Sequence, residues 1–538
     1  MKKSNFLEGA FIATAAIIFT KILGIIYVIP FYSIIGEQGG ALYGYSYTIY
    51  NFFLTISTIG FPLAISKLTS EYNTLKLYNE KIRLYKLSKR CILVFSILCF
   101  LICFIFAPQI ASLIIGNIEN GNTIQDVSFT IRMVSFALLV IPLLSIMRGY
   151  LQGHKYIKEP SISQVIEQVV RVVIILSGSY LTLKVFNLSL RTAIGVSVFA
   201  SCIGGLSAYL YLLNVTRKNK DKLKPKEINE SKITNKEIIK KIIAYSIPFI
   251  VISCANQIYS STDMILMLRT LPKLDYIGKD VETISSVFTT WGPKINSIVI
   301  AIANGLIISL IPHIVSLYVE KDNDGVNKIF NKCLKIVLLI IVPIAIFISI
   351  NATSIWTIFY GKSKYGPLII KCNILLTIID SLYIIVNSLL QSLSKYKILF
   401  TSVISGIVIN LVLDIPLMYV FNILHSEAFY GAILATFLGL ITSLIISFKS
   451  LKKELNFNYN ETLNLLPKVI LRILVLIIID KLISLILPIN SPRRIIQIFN
   501  IIILGITTVP IYIRLNKNYL SLILPDKIVK ILRKIKLV

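Results

Sequence analysis

The chain has 538 residues, 55% of them hydrophobic, and a mean hydropathy of +0.79. Its apolar residues gather in runs of about 20 or more, long enough to cross a hydrocarbon core of about 30 Å, which excludes a soluble globular protein. The net charge of +29 sits mostly in short connections between those runs, with no basic–aromatic face beside it, so it speaks for membrane orientation and against nucleic acid.

The hydropathy pattern predicts fourteen spans: 9–35, 44–66, 91–115, 127–152, 161–183, 192–214, 239–266, 292–318, 334–358, 366–393, 398–422, 429–448, 466–487 and 495–513. Backbone groups in lipid must be satisfied within the segment, and the runs are too long for barrel strands, so all are expected to be helices. The N-terminal run has no small-residue cleavage site behind it and is expected to be a retained helix.

A charge at mid-bilayer costs roughly 2.5–3.5 kcal/mol on insertion scales, so each one needs a reason. Lys21 lies in the middle of the first span, in FTKILGIIYVIPFY. It reads as a cationic anchor for an anionic substrate, or as half of a buried ion pair. The second span ends on GFPLAISKLTSEY, residues 60–72, where Lys67 can contact substrate or reach the headgroups. Glu167 and Arg171, four apart in SQVIEQVVRVVIIL, suit a local ion pair on one helix face. The seventh span carries Asn256, Gln257 and Asp263 in NQIYSSTDMILM, an ion or proton site or a partner for Lys21 or Arg269. The eighth carries Asn304, which suits interhelical packing or a cavity wall, and His313. Asp380 and Asp414 are isolated acids without an assigned role. In the longest outer loop, 267–290, Asp275, Asp280 and Glu282 are expected to be solvated.

Other chemistry is not signalled. The seven cysteines (Cys91, Cys99, Cys103, Cys202, Cys254, Cys333 and Cys372) lie in or beside apolar runs without a CxxC, and read as small hydrophobes. No HExxH, phosphate-binding glycine loop or catalytic constellation is present, so no catalytic residue, metal or cofactor is expected.

Three pairs of segments echo one another in the same order. GFPLAISKLTSEY matches LIPHIVSLYVE (310–320), FAPQIASLIIG (106–116) matches NATSIWTIFYG (351–361), and GYLQGHKY (149–156) matches SLLQSLSKY (388–396). Spans 1–6 and 7–12 therefore read as two copies of one unit. Six is even, so the copies enter from the same side as a parallel repeat, a plan suited to alternating access. With the N-terminus inside, inner connections hold 37 Lys and Arg and outer ones nine, which puts both termini in the cytoplasm. The domains expected are an N-lobe 1–216, a charged cytoplasmic linker 217–238, a C-lobe 239–450, the last two spans 451–516, and a basic tail 517–538.

GGALYGYSYTIYNFFLTISTIGFPLAISKLTSEY (39–72), TKILGIIYVIPFY and RGYLQGHKYIKEPSISQVIEQVVRVVIIL resemble the oligosaccharidyl-lipid flippases of the MOP (MATE-like) superfamily. The resemblance is to the SpoVB/YtgP branch, and within it to the YtgP-type lipid II flippases of Gram-positive bacteria. It implies an all-α polytopic membrane protein with fourteen transmembrane helices, two parallel six-helix repeats as V-shaped lobes, and two C-terminal helices grooved for a lipid tail. It also implies a bacterial plasma-membrane flippase, not an enzyme, that moves undecaprenyl-diphosphate-linked peptidoglycan precursor outward. Coupling would be to membrane potential, Na+ or H+, and a monomer suffices. Lys21 matches the basic residue opening the Arg-x-Leu-Gly motif of the Gram-negative members. Tyr27 stands where those members carry an arginine. The cavity-lining set implied is Lys21, Tyr27, Lys67, Asn256, Gln257, Asn304 and His313. Rival readings are a flippase for another undecaprenyl-linked glycan (teichoic, capsular or sporulation-related), a MATE-type drug/cation antiporter, and a polytopic glycan ligase or polymerase that would need outer-loop acids such as Asp275 and Asp280.

Overall fold

The computed structural model describes residues 19–55, 61–75, 77–116, 121–154, 156–219, 233–489 and 491–523, with isolated positions 16, 58 and 533. Among the described residues every regular element is helical. Ten continuous helices are long and apolar enough to cross a membrane, from Tyr78–Ile105 to Arg494–Leu515. The pair Phe19–Ile26 and Val28–Thr55, bent by 45°, makes an eleventh candidate. Two further helices, Asn235–Thr270 and Gly292–Val319, run 36 and 28 residues.

Local chemistry accounts for where the helices begin and end. Thr123 with Asp126, and Thr234 with Glu237, form reciprocal capping boxes that open the helices Ile124–Ser135 and Asn235–Thr270. Gly36 breaks Val28–Thr55 with φ +66, a conformation that costs an L side chain energy and a glycine little, so this is where the first two spans part. The predicted connection at 36–43 is thus shortened to one residue.

By packing the chain forms two compact units, Met1–Trp291 and Gly292–Val538. The helix Asn235–Thr270 belongs to the first of these, although in the sequence repeat it opens the second copy. In the first unit, Gly149 and Gly153 form a small-xxx-small stripe on the helix Ala137–Gly153. A β-carbon on Gly149 would lie 2.5 Å from Pro62 O, and one on Gly153 would lie 2.7 Å from Ser66 O. The segment Phe61–Thr74 therefore packs backbone to backbone, as membrane helices do where dispersion replaces the hydrophobic effect. In the second unit, Gly431 gives Phe429–Leu455 the same closeness to the backbone of Leu417 and Met418 in Tyr396–Ile423. There the π-helical turn Val337–Ile341 frees the Leu339 carbonyl, which accepts the buried Tyr512 hydroxyl at 2.9 Å.

The first and second echoed stretches differ in outcome. Residues 106–116 and 351–361 take the same backbone path, a nine-residue helix ending on a glycine of positive φ. Of residues 310–320, much of the side-chain detail lies outside the described residues, as does most of the linker 217–238.

Candidate functional site

The first unit holds a polar and aromatic cluster built from the first, second, fourth and fifth spans. Beyond the bend at Tyr27, the rings run Tyr27–Phe31 at 6.0 Å, Phe31–Tyr43 at 5.3 Å, and Tyr43–Tyr47 stacked at 5.1 Å. Tyr43, Tyr47 and Tyr50 share one face because they are spaced i, i+4 and i+7. Gly40 and Gly44, on the adjoining strip of that helix, receive Trp291, Thr289 and Thr290. Thr290 Oγ1 donates to Gly40 O at 2.8 Å.

Two arginines enter this cluster. Arg148, on Ala137–Gly153, donates from Nε to Ser163 Oγ at 2.8 Å and pairs from Nη2 with Glu167 Oε2 at 2.9 Å. Arg171, on Lys158–Tyr180, donates from Nη1 to the Tyr47 hydroxyl at 3.1 Å and from Nη2 to Gln168 Oε1. The predicted Glu167–Arg171 pair is therefore corrected: the carboxylate turns to the neighbouring helix, where a half-buried arginine offers a shorter contact. Among the described residues Arg171 has no carboxylate within 4 Å. Glu167, Arg148 and Arg171 together carry one surplus positive charge inside the apolar part of the unit. Arg171 lies about 200° around its helix from the lipid-exposed Val169 and Val173, so its charge does not face the exposed apolar side.

The other predicted residues are more scattered. Lys21 lies on Phe19–Ile26 among the exposed Phe19, Ile22 and Ile26, and is itself exposed. One turn on, a β-carbon at Gly24 would lie 3.6 Å from Gln168 Nε2, which ties the first span to the fifth beside Arg171. Tyr27 is 5% exposed. Gln257 Nε2 reaches Thr48 O at 3.4 Å, linking Asn235–Thr270 to the second span. Asp263 is half-buried on the same helix, and Asn304 is exposed in the second unit. The side chains of Lys67, Asn256 and His313 lie outside the described residues. The sequence reading missed Tyr43, Tyr47, Arg148 and Gln168. The i, i+4, i+7 tyrosines of YGYSYTIY were the available signal; Gln168 had none.

Glu282 is also corrected. It is 1% exposed rather than solvated, because the short helix Gly278–Ser286 turns it inward against Asn122, whose backbone N–H it accepts. Asp275, by contrast, is exposed.

The second unit has a cavity of about 360 Å³ lined by Leu339, Pro343, Phe347, Ile473, Val509 and Tyr512. One acid, Asp480, reaches it and accepts from Asn351 Nδ2 at 3.1 and 3.3 Å. Among the described residues no group of three or more His, Cys, Asp or Glu is placed to hold a metal, and the seven cysteines form no disulfide.

Long apolar helices with a half-buried cationic cluster among them mark a polytopic membrane protein. Residues 6–278 match the family described as polysaccharide biosynthesis protein. The chain is 33% identical over 465 residues to the lipid II flippase MurJ of Bacillus subtilis (strain 168), across 85% of this chain and 84% of that one. Two solved structures share the fold. One is a lipid II flippase MurJ in an inward closed conformation, with TM-score 0.65, 16% identity, and 95% and 99% of the two chains covered. The other is an inward-facing multidrug resistance MATE family transporter of the MOP superfamily, with TM-score 0.66, 13% identity, and 83% and 98% covered. The chain belongs to the polysaccharide biosynthesis protein family, and is a multi-pass protein of the bacterial cell membrane.

Proposed function

We propose that the protein is a lipid II flippase, carrying undecaprenyl-diphosphate-linked peptidoglycan precursor from the inner to the outer leaflet by alternating access, without catalysing a reaction. The observation that carries this is the surplus charge at Arg171. A cation in an apolar unit is costly, and a diphosphate in hydrocarbon is costlier still. Each offsets the other when the passenger is anionic. Arginine is also the side chain whose planar fork suits a phosphate. A drug or cation exported by an antiporter would meet the wrong sign here. The polyprenyl tail stays in lipid, with the apolar cavity of the second unit suited to a hydrocarbon chain. The 33% identity to the lipid II flippase MurJ supports lipid II as the passenger.

The same proposal includes fourteen helices in two six-helix repeats, the lobe and linker boundaries read from the sequence, and cytoplasmic termini. It places Lys21, Tyr27, Lys67, Asn256, Gln257, Asn304 and His313 along the substrate path. Tyr27, standing where Gram-negative members carry an arginine, favours a second reading in which the passenger is another undecaprenyl-linked glycan.

Complementation tests it. A Gram-positive host depleted of its lipid II flippase should grow on this chain. It should lose growth with Arg171→Gln, and with Lys21→Ala, at matched membrane levels. Rescue by both variants would remove the cationic assignment. No rescue by the inserted wild type would move the function to another lipid-linked glycan.

A further inference from the structure

Glu282 lies in the connection between the helices Asn235–Thr270 and Gly292–Val319. Its burial joins three separate pieces of the first unit. Oε1 accepts the backbone N–H of Asn122, just before the helix Ile124–Ser135. Asn122, itself 6% exposed, donates from Nδ2 to Gln38 O at 3.2 Å, two residues past the break at Gly36. The next residue along, Thr283, donates its hydroxyl to Glu37 Oε2 at 3.0 Å, and Tyr32 donates to Glu37 Oε1 at 3.2 Å. The short helix Gly278–Ser286 is thus held to the turn between the first two spans and to the start of the fourth. A carboxylate stands at the junction. Its second oxygen, Oε2, is buried without a hydrogen-bond donor.

The charged groups around Glu282 do not neutralise it. Asp126, in the first turn of Ile124–Ser135, adds like charge, although Arg191 lies 3.8 Å from it. Tyr45, buried on the second span, lies near the same carboxylate. Glu37 approaches through Thr283. On the element itself Lys279 is exposed and Asp280 half-buried, and on the adjoining turn Lys273 and Asp275 are both exposed.

We propose that Glu282 is a proton-loading site at the outer end of the first unit, and that its proton sets how firmly the Gly278–Ser286 helix docks. The ligand is the proton itself. The link from this site to outward transport rests on the flippase reading; the proton site does not.

Thermodynamics gives the direction. Burial is the largest influence and pushes the Glu282 carboxyl up from 4.5 to about 7. The Asn122 hydrogen bonds pull it down, Asp126 pushes it up again, and Gln38 pulls it down. A carboxyl raised in the docked state and ordinary in the undocked one binds more protons when docked between about 4.5 and 7. Protonation therefore favours docking, and docking weakens as pH rises through that window. Ionised Glu282 keeps the charge-assisted bond from Asn122 but bears desolvation and the field of Asp126. A site that changes state near neutrality answers to the pH difference across a working membrane.

The test is hydrogen–deuterium exchange of the full chain in lipid nanodiscs between pH 5.5 and 8.5, corrected for intrinsic exchange. Amides of 121–124 and 278–286 should lose about tenfold or more protection between pH 5.5 and about 7, and level off above it. Glu282→Gln should stay protected with no slope. Asp126→Asn should move the midpoint to lower pH, because it removes a like charge. A flat wild-type profile, or the same slope in Glu282→Gln, would overturn the proposal. Lipid II complementation run in parallel separates the two readings. A pH slope without rescue removes lipid II but leaves the proton site. Rescue without a slope removes the proton site alone.

Discussion

The helices Tyr78–Ile105 and Asn323–Ile350 are each 28 residues long. Each then breaks at one residue, Phe106 or Asn351, resumes for nine residues as Ala107–Ile115 or Ala352–Tyr360, and stops on a glycine of positive φ, Gly116 or Gly361. Every landmark in the second falls 245 positions after its counterpart in the first (323 against 78, 361 against 116). What holds them differs. Phe106 is 49% exposed and makes no side-chain cap. Asn351 is 3% exposed and donates to Asp480 in Leu466–Ser484. The first copy is instead tied at its far end, where Arg269 donates to Leu113 O at 3.0 and 2.6 Å. One backbone plan thus accepts two kinds of anchor. In the second copy the break itself becomes the polar socket for the helix Leu466–Ser484.

The sharpest way to break that contrast is to remove the socket. Asp480→Leu leaves the Asn351 amide with only Phe347 O at 3.1 Å. It should cost about 2–3 kcal/mol, since a buried donor loses a charged acceptor. Thermal unfolding in detergent, together with proteolysis in the 485–493 loop, would register it. The double variant Asn351→Leu with Asp480→Leu should recover part of the loss, because neither partner is then left unpaired. A single-variant cost near zero would mean that the apolar lining of the neighbouring cavity holds these helices without the polar contact.

The shared part of the comparison can be tested at its glycines. Gly116 has φ 56, ψ −135 and Gly361 has φ 82, ψ −159, with nothing within 4 Å of an added β-carbon at either. Substitution by alanine is therefore a test of backbone strain alone, expected to cost about 1–3 kcal/mol at each. The two losses should agree. A difference as large as the loss itself would end the claim that the segments are local equivalents.

The sequence made the helices themselves legible, because lipid demands long apolar runs and Gly, Pro and capping residues mark their ends. Expected spans such as 366–393 and 398–422 lie within two residues of Gly366–Ser392 and Tyr396–Ile423. The repeat was legible through FAPQIASLIIG and NATSIWTIFYG, which became a break, a nine-residue helix and a glycine in both places. The polar contacts were less so. Glu167 has Arg171 at the favoured spacing, yet a third partner on another helix took it, and i, i+4 patterning carries no information about neighbouring helices. Glu282 looked solvated because a charged nine-residue stretch gives no sign of which face turns inward. The helix Asn235–Thr270 packs with the first unit although the echoed segments led to its being expected in a second copy; echoes in sequence do not say which helices touch.

The smallest expected effect belongs to the first copy's own anchor. Leu113 lies in the last turn of Ala107–Ile115, where carbonyls lack intrahelical partners and the helix dipole favours a cation. Arg269 meets both needs, but it does so in the open, where water and salt can replace it. Arg269→Gln should therefore cost about 0.3–1 kcal/mol, and raising the salt concentration should shrink the difference from wild type. The same salt titration should leave the Asp480→Leu deficit unchanged, because Asn351 and Asp480 are buried. If Arg269→Gln instead proved the more damaging variant, the first copy's long helix would depend on its tie to Asn235–Thr270 more than the C-terminal helices depend on their socket. The first copy's anchor, and not the second's, would then be the chief polar restraint on this shared backbone plan.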